Sequence, residues 1–273
     1  MNSDYQIIEM YQYLPSYMQF PSLPWITGVF LYHLILTSPS CIWHGIINLY
    51  QRVLYISHRN IPVSTIEPSI LEPILQHEKV VIFVHGRGGH HTNFIPLVYN
   101  LINHYKLSGY YFGKANLGWN SSTSVDEDVK KLSRELDKYI DCEITLVGMS
   151  KGGVVCARYA TTQNDIRIKR VITISAPLRG TLATKFLGTN SVTNRELGYH
   201  SDLTETIAAE IAKIAIPIHH VVPKWDHLII PTANAEYDST PETNIFYYQG
   251  YYSHVGIPHS PEIASKIANW ITS

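Results

Sequence analysis

The segment Gly148-Met149-Ser150-Lys151-Gly152-Gly153 carries the residue types best placed to do chemistry. Small residues two before and two after a serine let a strand and a helix pass close together, so the hydroxyl can sit on a sharp turn between them. Serine is a poor nucleophile at neutral pH unless an imidazole, itself steadied by a carboxylate, takes its proton. A chain using such a serine must supply the acid and then the histidine downstream, each on a loop beyond a late strand. Asp226 follows the apolar run 216–222, within Pro223-Lys224-Trp225-Asp226-His227-Leu228-Ile229-Ile230-Pro231. His254 follows the run 245–248, within Tyr252-Ser253-His254-Val255-Gly256. Glu236 and Asp238 compete for the acid, and His227 and His259 for the base, although His227 adjoins Asp226 too closely for easy triad geometry.

Acyl transfer also needs donors for the negative oxygen of its tetrahedral intermediate. The spacing predicts two backbone N–H groups: that of Lys151, just after the serine, and that of Arg87 in the glycine-rich turn His85-Gly86-Arg87-Gly88-Gly89. A plain strand-to-helix loop is the alternative for that turn. His85, His90 and His91 cluster after one strand and His219 and His220 on another, which raises a metal site. Neighbouring strand residues face opposite ways, so at most one of His219 and His220 can join such a site. Ordinary polar or core histidines are the expectation, with no metal and no cofactor.

These side chains need a frame. From Lys79 onward short apolar runs alternate with helix-like stretches, the pattern of a parallel sheet covered by helices. Strands are predicted at 80–84, 110–112, 144–147, 171–174, 216–222 and 245–248. Helices are predicted at 93–105, at 152–160, near 203–214 and after Ser260-Pro261-Glu262, where proline fits the first turn. Ser124-Val125-Asp126-Glu127 reads as a capping box opening a helix with Val125, Val129, Leu132, Leu136 and Ile140 on one face. The polar, glycine-containing stretch from Leu182 to Leu203, with the helix behind it to 214, is a lid candidate.

The chain has 273 residues, enough for one α/β domain at 71–273 and an extension at 1–70. The extension holds an apolar stretch, 25–36, too short to span a bilayer, and then Ile42, Ile46, Ile47, Tyr50, Val53 and Leu54 at helical spacing. A helical hairpin packed on the core is expected there, with peripheral membrane contact as its rival reading. No Lys or Arg precedes Arg52, so the basic start of a secretory signal is missing and a cytoplasmic enzyme is expected, with export by an unconventional route as the alternative. Three cysteines, Cys41, Cys142 and Cys156, fit buried free thiols better than a disulfide framework. A net charge of −1 offers no footprint for phosphates and argues against a nucleic-acid partner. Charged residues make up 16% of the chain, under the roughly 25% of an average domain, so the surface is sparsely charged.

On these residues the sequence resembles the α/β-hydrolase lipases and esterases, in particular bacterial lipase-like enzymes and the glycosylphosphatidylinositol inositol-deacylase group. The resemblance runs from about Lys79 to the C-terminus and includes Ser175-Ala176-Pro177-Leu178-Arg179-Gly180-Thr181 beside the segments above. It implies an α/β-hydrolase fold, a 176–181 segment that lines the site, and hydrolysis of a carboxylic ester of an acyl chain or lipid through an acyl-enzyme. Met149 and Lys151 depart from the residues many relatives carry, and the N-terminal extension matches no part of the family. Acyl-thioester or acyl-protein hydrolysis uses the same triad, and a non-catalytic binding module would keep only the fold.

Overall fold

The computed structural model describes residue 42 and residues 78–273, apart from 108, 116, 119–121, 186–190 and 238–242. The expected N-terminal hairpin therefore lies outside the described residues, as do Cys41 and Asp238. Six strands form one sheet: β1 (Lys79–Val84), β2 (Tyr111–Ala115), β3 (Glu143–Met149), β4 (Ile168–Ile174), β5 (Ile218–Pro223) and β6 (Ile245–Tyr248). Their order is β2-β1-β3-β4-β5-β6, and every neighbouring pair is parallel. The helices are α1 (Ile95–Asn103), α2 (Val125–Leu136), α3 (Lys151–Thr162), α4 (Val192–Glu196), α5 (Asp202–Ile211) and α6 (Pro261–Thr272).

Alternation along β1 divides the core into two layers, because successive strand side chains face opposite ways. Val80, Ile82 and Val84 pack with Val129 and Leu132 of α2, Val154 and Val155 of α3, and Ile207 and Ile211 of α5. Val81 and Phe83 point to the other face, against Leu97 and Leu101 of α1 and Ile263 and Ile267 of α6. Both faces are covered, which is why these strands read as unbroken apolar runs. The chain leaves β1 for the edge at β2, then crosses back to β3, so strand order reverses between β1 and β3. In open parallel sheets the crevice beyond the strand ends at such a reversal is where ligands sit.

Local rules explain most boundaries. The capping box is present: the Ser124 hydroxyl accepts from Glu127 N at 3.1 Å, and Glu127 Oε2 accepts from Ser124 N at 3.1 Å. Ser260 likewise accepts from Ile263 N, with Pro261 opening α6. One expectation fails. Helix α2 stops at Leu136, and Ile140 is 72% exposed instead of joining the apolar stripe. The turn that follows brings Tyr139 inward in its place, its N–H donating to Leu136 O at 3.0 Å. The predicted 93–105 helix begins as a 3-10 turn, His91–Phe94, and only then continues as α1. Cys142 and Cys156 are buried free thiols, and burial raises the pKa of both.

Candidate active site

Strand β3 passes into α3 through Ser150, which has φ 55° and ψ −130°, a conformation few residues other than glycine adopt. The flanking glycines are required by contact. A Cβ on Gly152 would lie 2.1 Å from Val84 O, and one on Gly148 would lie 2.5 Å from Gly152 O. The turn beyond β1 comes equally close, since a Cβ on Gly86 would lie 2.7 Å from the Ser150 Cβ. Glycine spacing thus sets how near the two loops approach one hydroxyl, as the sequence pattern predicts.

Asp226 stands beyond β5 and His254 opens a 3-10 turn beyond β6, both buried. The His254 Nδ1–H donates to Asp226 Oδ2 at 2.7 Å. Asp226 Oδ1 accepts from the backbone N–H groups of Leu228, at 2.7 Å, and Ile229, at 3.2 Å. Burial pushes this carboxyl toward its neutral form, but the charge and hydrogen bond of His254, with His227 and the Ser175 hydroxyl, hold it down to about 2. It is therefore an anion fixed in place, facing the proximal ring nitrogen. The far nitrogen of His254, Nε2, is buried with no hydrogen-bond partner among the described residues.

A second serine takes part that the spacing did not single out. Ser175, one residue beyond β4, has φ 46° and is fully buried. Its hydroxyl donates to Asp226 Oδ2, and its oxygen lies 3.4 Å from His254 Nδ1. Serine, imidazole and carboxylate, the residue types of a serine hydrolase active site, thus lie together, with Ser175 and Asp226 on the same ring nitrogen of His254. The signals that could have found Ser175 are its place at the end of the strand beside β3 and its position at the head of the family-like segment 175–181.

A cavity of about 630 Å³ opens beyond the strand ends at the β1–β3 reversal. Ser150, His254, Arg87 and Lys151 all line it, whereas Asp226 and Ser175 lie behind its wall. Phe94, Met149, Leu197, Leu228, Ile229 and Val255 give the cavity an apolar lining. Pro177 and Thr181 also reach it, consistent with the expected role of the 176–181 segment. Thr184, Thr193, Asn194 and Leu197 come from the stretch marked as a lid candidate. Of the rivals for acid and base, Glu236, His227 and His259 do not line the cavity, and Asp238 lies outside the described residues.

Lys151 is the other surprise. Its side chain is buried, with the ammonium 2.7 Å from Asp128 Oδ2, and desolvation by burial lowers its pKa. No rule of spacing links residue 151 to residue 128, so the pair is invisible until α2 and α3 pack. The remaining histidines are occupied otherwise. The His220 ring bonds Thr173 Oγ1 and Tyr237 O, both at 2.8 Å, while His219 stacks on Trp270. His90 caps the 3-10 turn before α1, and its ring lies 3.9 Å from that of His91.

Known proteins can be set beside this geometry. The family described as alpha/beta hydrolase fold matches residues 79–214. No curated protein matches the chain. Among solved structures, lipase B of Aspergillus fumigatus superposes with a TM-score of 0.63 at 14% identity, covering 76% of this chain and 55% of that one. The chain thus spans little more than half of that lipase. A lipase-esterase related protein from Clostridium acetobutylicum gives a TM-score of 0.52 at 15% identity, over 71% of this chain and 95% of that one. A bromoperoxidase from Bacillus anthracis gives 0.54 at 15% identity, over 71% and 92%. Identities this low speak to the fold alone: the parallel strand order and the serine turn at its reversal point give the chain an α/β-hydrolase fold, as the family match over residues 79–214 also indicates.

Proposed function

We propose that the chain hydrolyses a carboxylic ester of an acyl chain or lipid, with Ser150 as nucleophile, His254 as base then acid, and Asp226 holding the imidazole. The observation that carries this choice of serine is the one-sidedness of His254. Its Nδ1 edge is taken up by Asp226 and Ser175 behind the wall, and its unpartnered Nε2 belongs to the residue that lines the cavity with Ser150. A nucleophile must reach both a substrate carbonyl and a free basic nitrogen. Ser175 satisfies neither demand: it is fully buried and shares the nitrogen that already donates to Asp226.

In this reading the Ser150 Oγ attacks the acyl carbonyl carbon as His254 Nε2 takes its proton. The carbonyl π electrons move onto oxygen, which the N–H groups of Arg87 and Lys151 receive. Lys151 opens α3, where the first N–H groups and the helix dipole favour negative charge. Collapse of the intermediate breaks the bond to the alcohol oxygen, which leaves with the proton from Nε2. Water then repeats the sequence on the acyl-enzyme, releasing the carboxylic acid and restoring Ser150. The apolar lining suits the acyl chain, and the 182–214 segment, which supplies part of that wall, is assigned the covering of the site. No step needs a cofactor.

The test is turnover of Ser150→Ala and Ser175→Ala on a panel of nitrophenyl esters from acetate to palmitate, with acyl-thioesters of the same lengths alongside. Ser150→Ala should lose at least about a thousandfold in kcat, and Ser175→Ala far less. Faster cleavage of thioesters than of esters would move the substrate class to acyl-thioesters. Near wild-type turnover by Ser150→Ala contradicts the mechanism outright.

A further inference from the structure

The two residues whose backbone amides are assigned to the oxyanion send their side chains to consecutive residues of one short helix. The Lys151 ammonium donates to Thr193 Oγ1 at 3.2 Å and to Thr123 O at 2.5 Å. Thr193 Oγ1 in turn donates to Thr123 O at 2.8 Å. The Arg87 Nη1 donates to Asn194 Oδ1. Thr193 and Asn194 are adjacent on α4, both are buried, and both line the cavity.

The helix that receives these bonds is itself tied down. Ser191 Oγ caps it by accepting from Asn194 N at 3.2 Å, and Glu196 Oε2 accepts from the first N–H of α2, that of Val125, at 2.7 Å. Thr181 N donates to Leu197 O at 2.9 Å, joining the end of α4 to the segment beyond β4. On the opposite side, the Lys151 ammonium is anchored by Asp128 of α2, with both side chains fully buried. A buried ammonium held by several partners cannot drift without leaving a charge unpaired, so whatever holds it also holds the start of α3.

The turn beyond β1 is packed at Gly86 but open at Gly88, which has φ 62° and nothing within 4 Å of where a side chain would be, so Arg87 has an unpacked neighbour on that side. Oxyanion donors work only within about 0.2 Å of their productive distance, and a misplacement of about 1 Å costs on the order of a hundredfold.

We propose that Thr193 and Asn194 are positioning residues that fix, through the side chains of Lys151 and Arg87, the two amides assigned to the oxyanion. The proposal rests on the nucleophile and oxyanion assignment above. It makes α4 more than a wall of the acyl pocket: the same helix that an acyl chain touches also sets the stabilisation of the reacting carbonyl. Binding energy from the chain can then appear in kcat as well as KM.

The test uses Asn194→Ala and Thr193→Val in the full chain, assayed on an acetyl ester too short to rest on α4 and on a decanoyl ester. Each variant should lose about tenfold in kcat on the acetyl ester, with KM within about twofold. Inhibition by a trifluoromethyl ketone, which forms an oxyanion on the nucleophile, should weaken by the same factor. Asn194→Asp keeps an oxygen for Arg87 and should recover most of the loss, which separates positioning from a general loss of fold. An unchanged kcat on the acetyl ester with a raised KM on the decanoyl ester alone would reduce α4 to a pocket wall and overturn the proposal. So would an Asn194→Asp variant as impaired as Asn194→Ala. Equal inhibition of wild type and Ser150→Ala by the ketone would instead refute the nucleophile, and this inference with it.

Discussion

Asp226 accepts hydrogen bonds on both oxygens, among them from two backbone amides, one hydroxyl and one imidazole. Replacing it by Asn keeps the shape but offers an amide N–H where His254 needs an acceptor, so the imidazole loses its tautomer. We expect Asp226→Asn to cost at least about a thousandfold in kcat at neutral pH, measured on a short ester. Ser175→Ala removes one of these bonds and should cost about a hundredfold or less, a hydrogen bond to a charged group being worth roughly 1.5–3 kcal/mol. A larger loss would mean that this hydroxyl does more than support the acid. Because the folded carboxyl is held at about 2, below its ordinary 3.8, its contribution to stability is present above pH 3.8 and is lost as pH falls from there through about 2. Ser150, Asp226 and His254 could be proposed from the sequence because this chemistry fixes the chain order of its residues and their places after strands. Ser175 and the Lys151–Asp128 pair were not singled out, because they meet only across elements and local sequence holds no record of that.

The elements carry their own consequences. Strand β5 buries two adjacent histidines, and burial lowers the pKa of both His219 and His220 from 6.5 to about 4. Both are neutral in the fold and become protonated on unfolding at pH 5, so the unfolded state binds more protons and stability falls with falling pH between about 6.5 and 4. Urea denaturation at pH 7.5 and pH 5 should show this loss, and His220→Gln, which removes one titrating group, should show a smaller one. The glycines at the serine turn make a sharper prediction. A methyl on Gly152 has no room against Val84 O, a backbone atom that cannot swing aside, so Gly152→Ala should destabilise by about 3 kcal/mol or more, read from a denaturant melt. Element types were readable because strands covered on both faces stay apolar throughout and helices show a stripe. Their ends were less so: Ile140 has the right spacing for the α2 stripe, yet the helix stops at Leu136 and Tyr139 takes the inward place.

Among the described residues, six parallel strands with the order reversal at β1 and β3 bring distant loops to one end of the sheet. Residues 86, 150, 175, 226 and 254 span most of the described chain, yet they meet because each follows the end of a strand. The fold class was legible from the alternation of strand and helix signals, whereas strand order comes only with the coordinates. Among the described residues no helix is long and apolar enough to cross a membrane. The account turns on which hydroxyl attacks, and covalent labelling answers that directly. After reaction of the full chain with a fluorophosphonate, peptide mass spectrometry should place the adduct on Ser150, in Ser175→Ala as in the wild type, and find none in Ser150→Ala. An adduct on Ser175, or labelling that survives Ser150→Ala at the same rate, would contradict it.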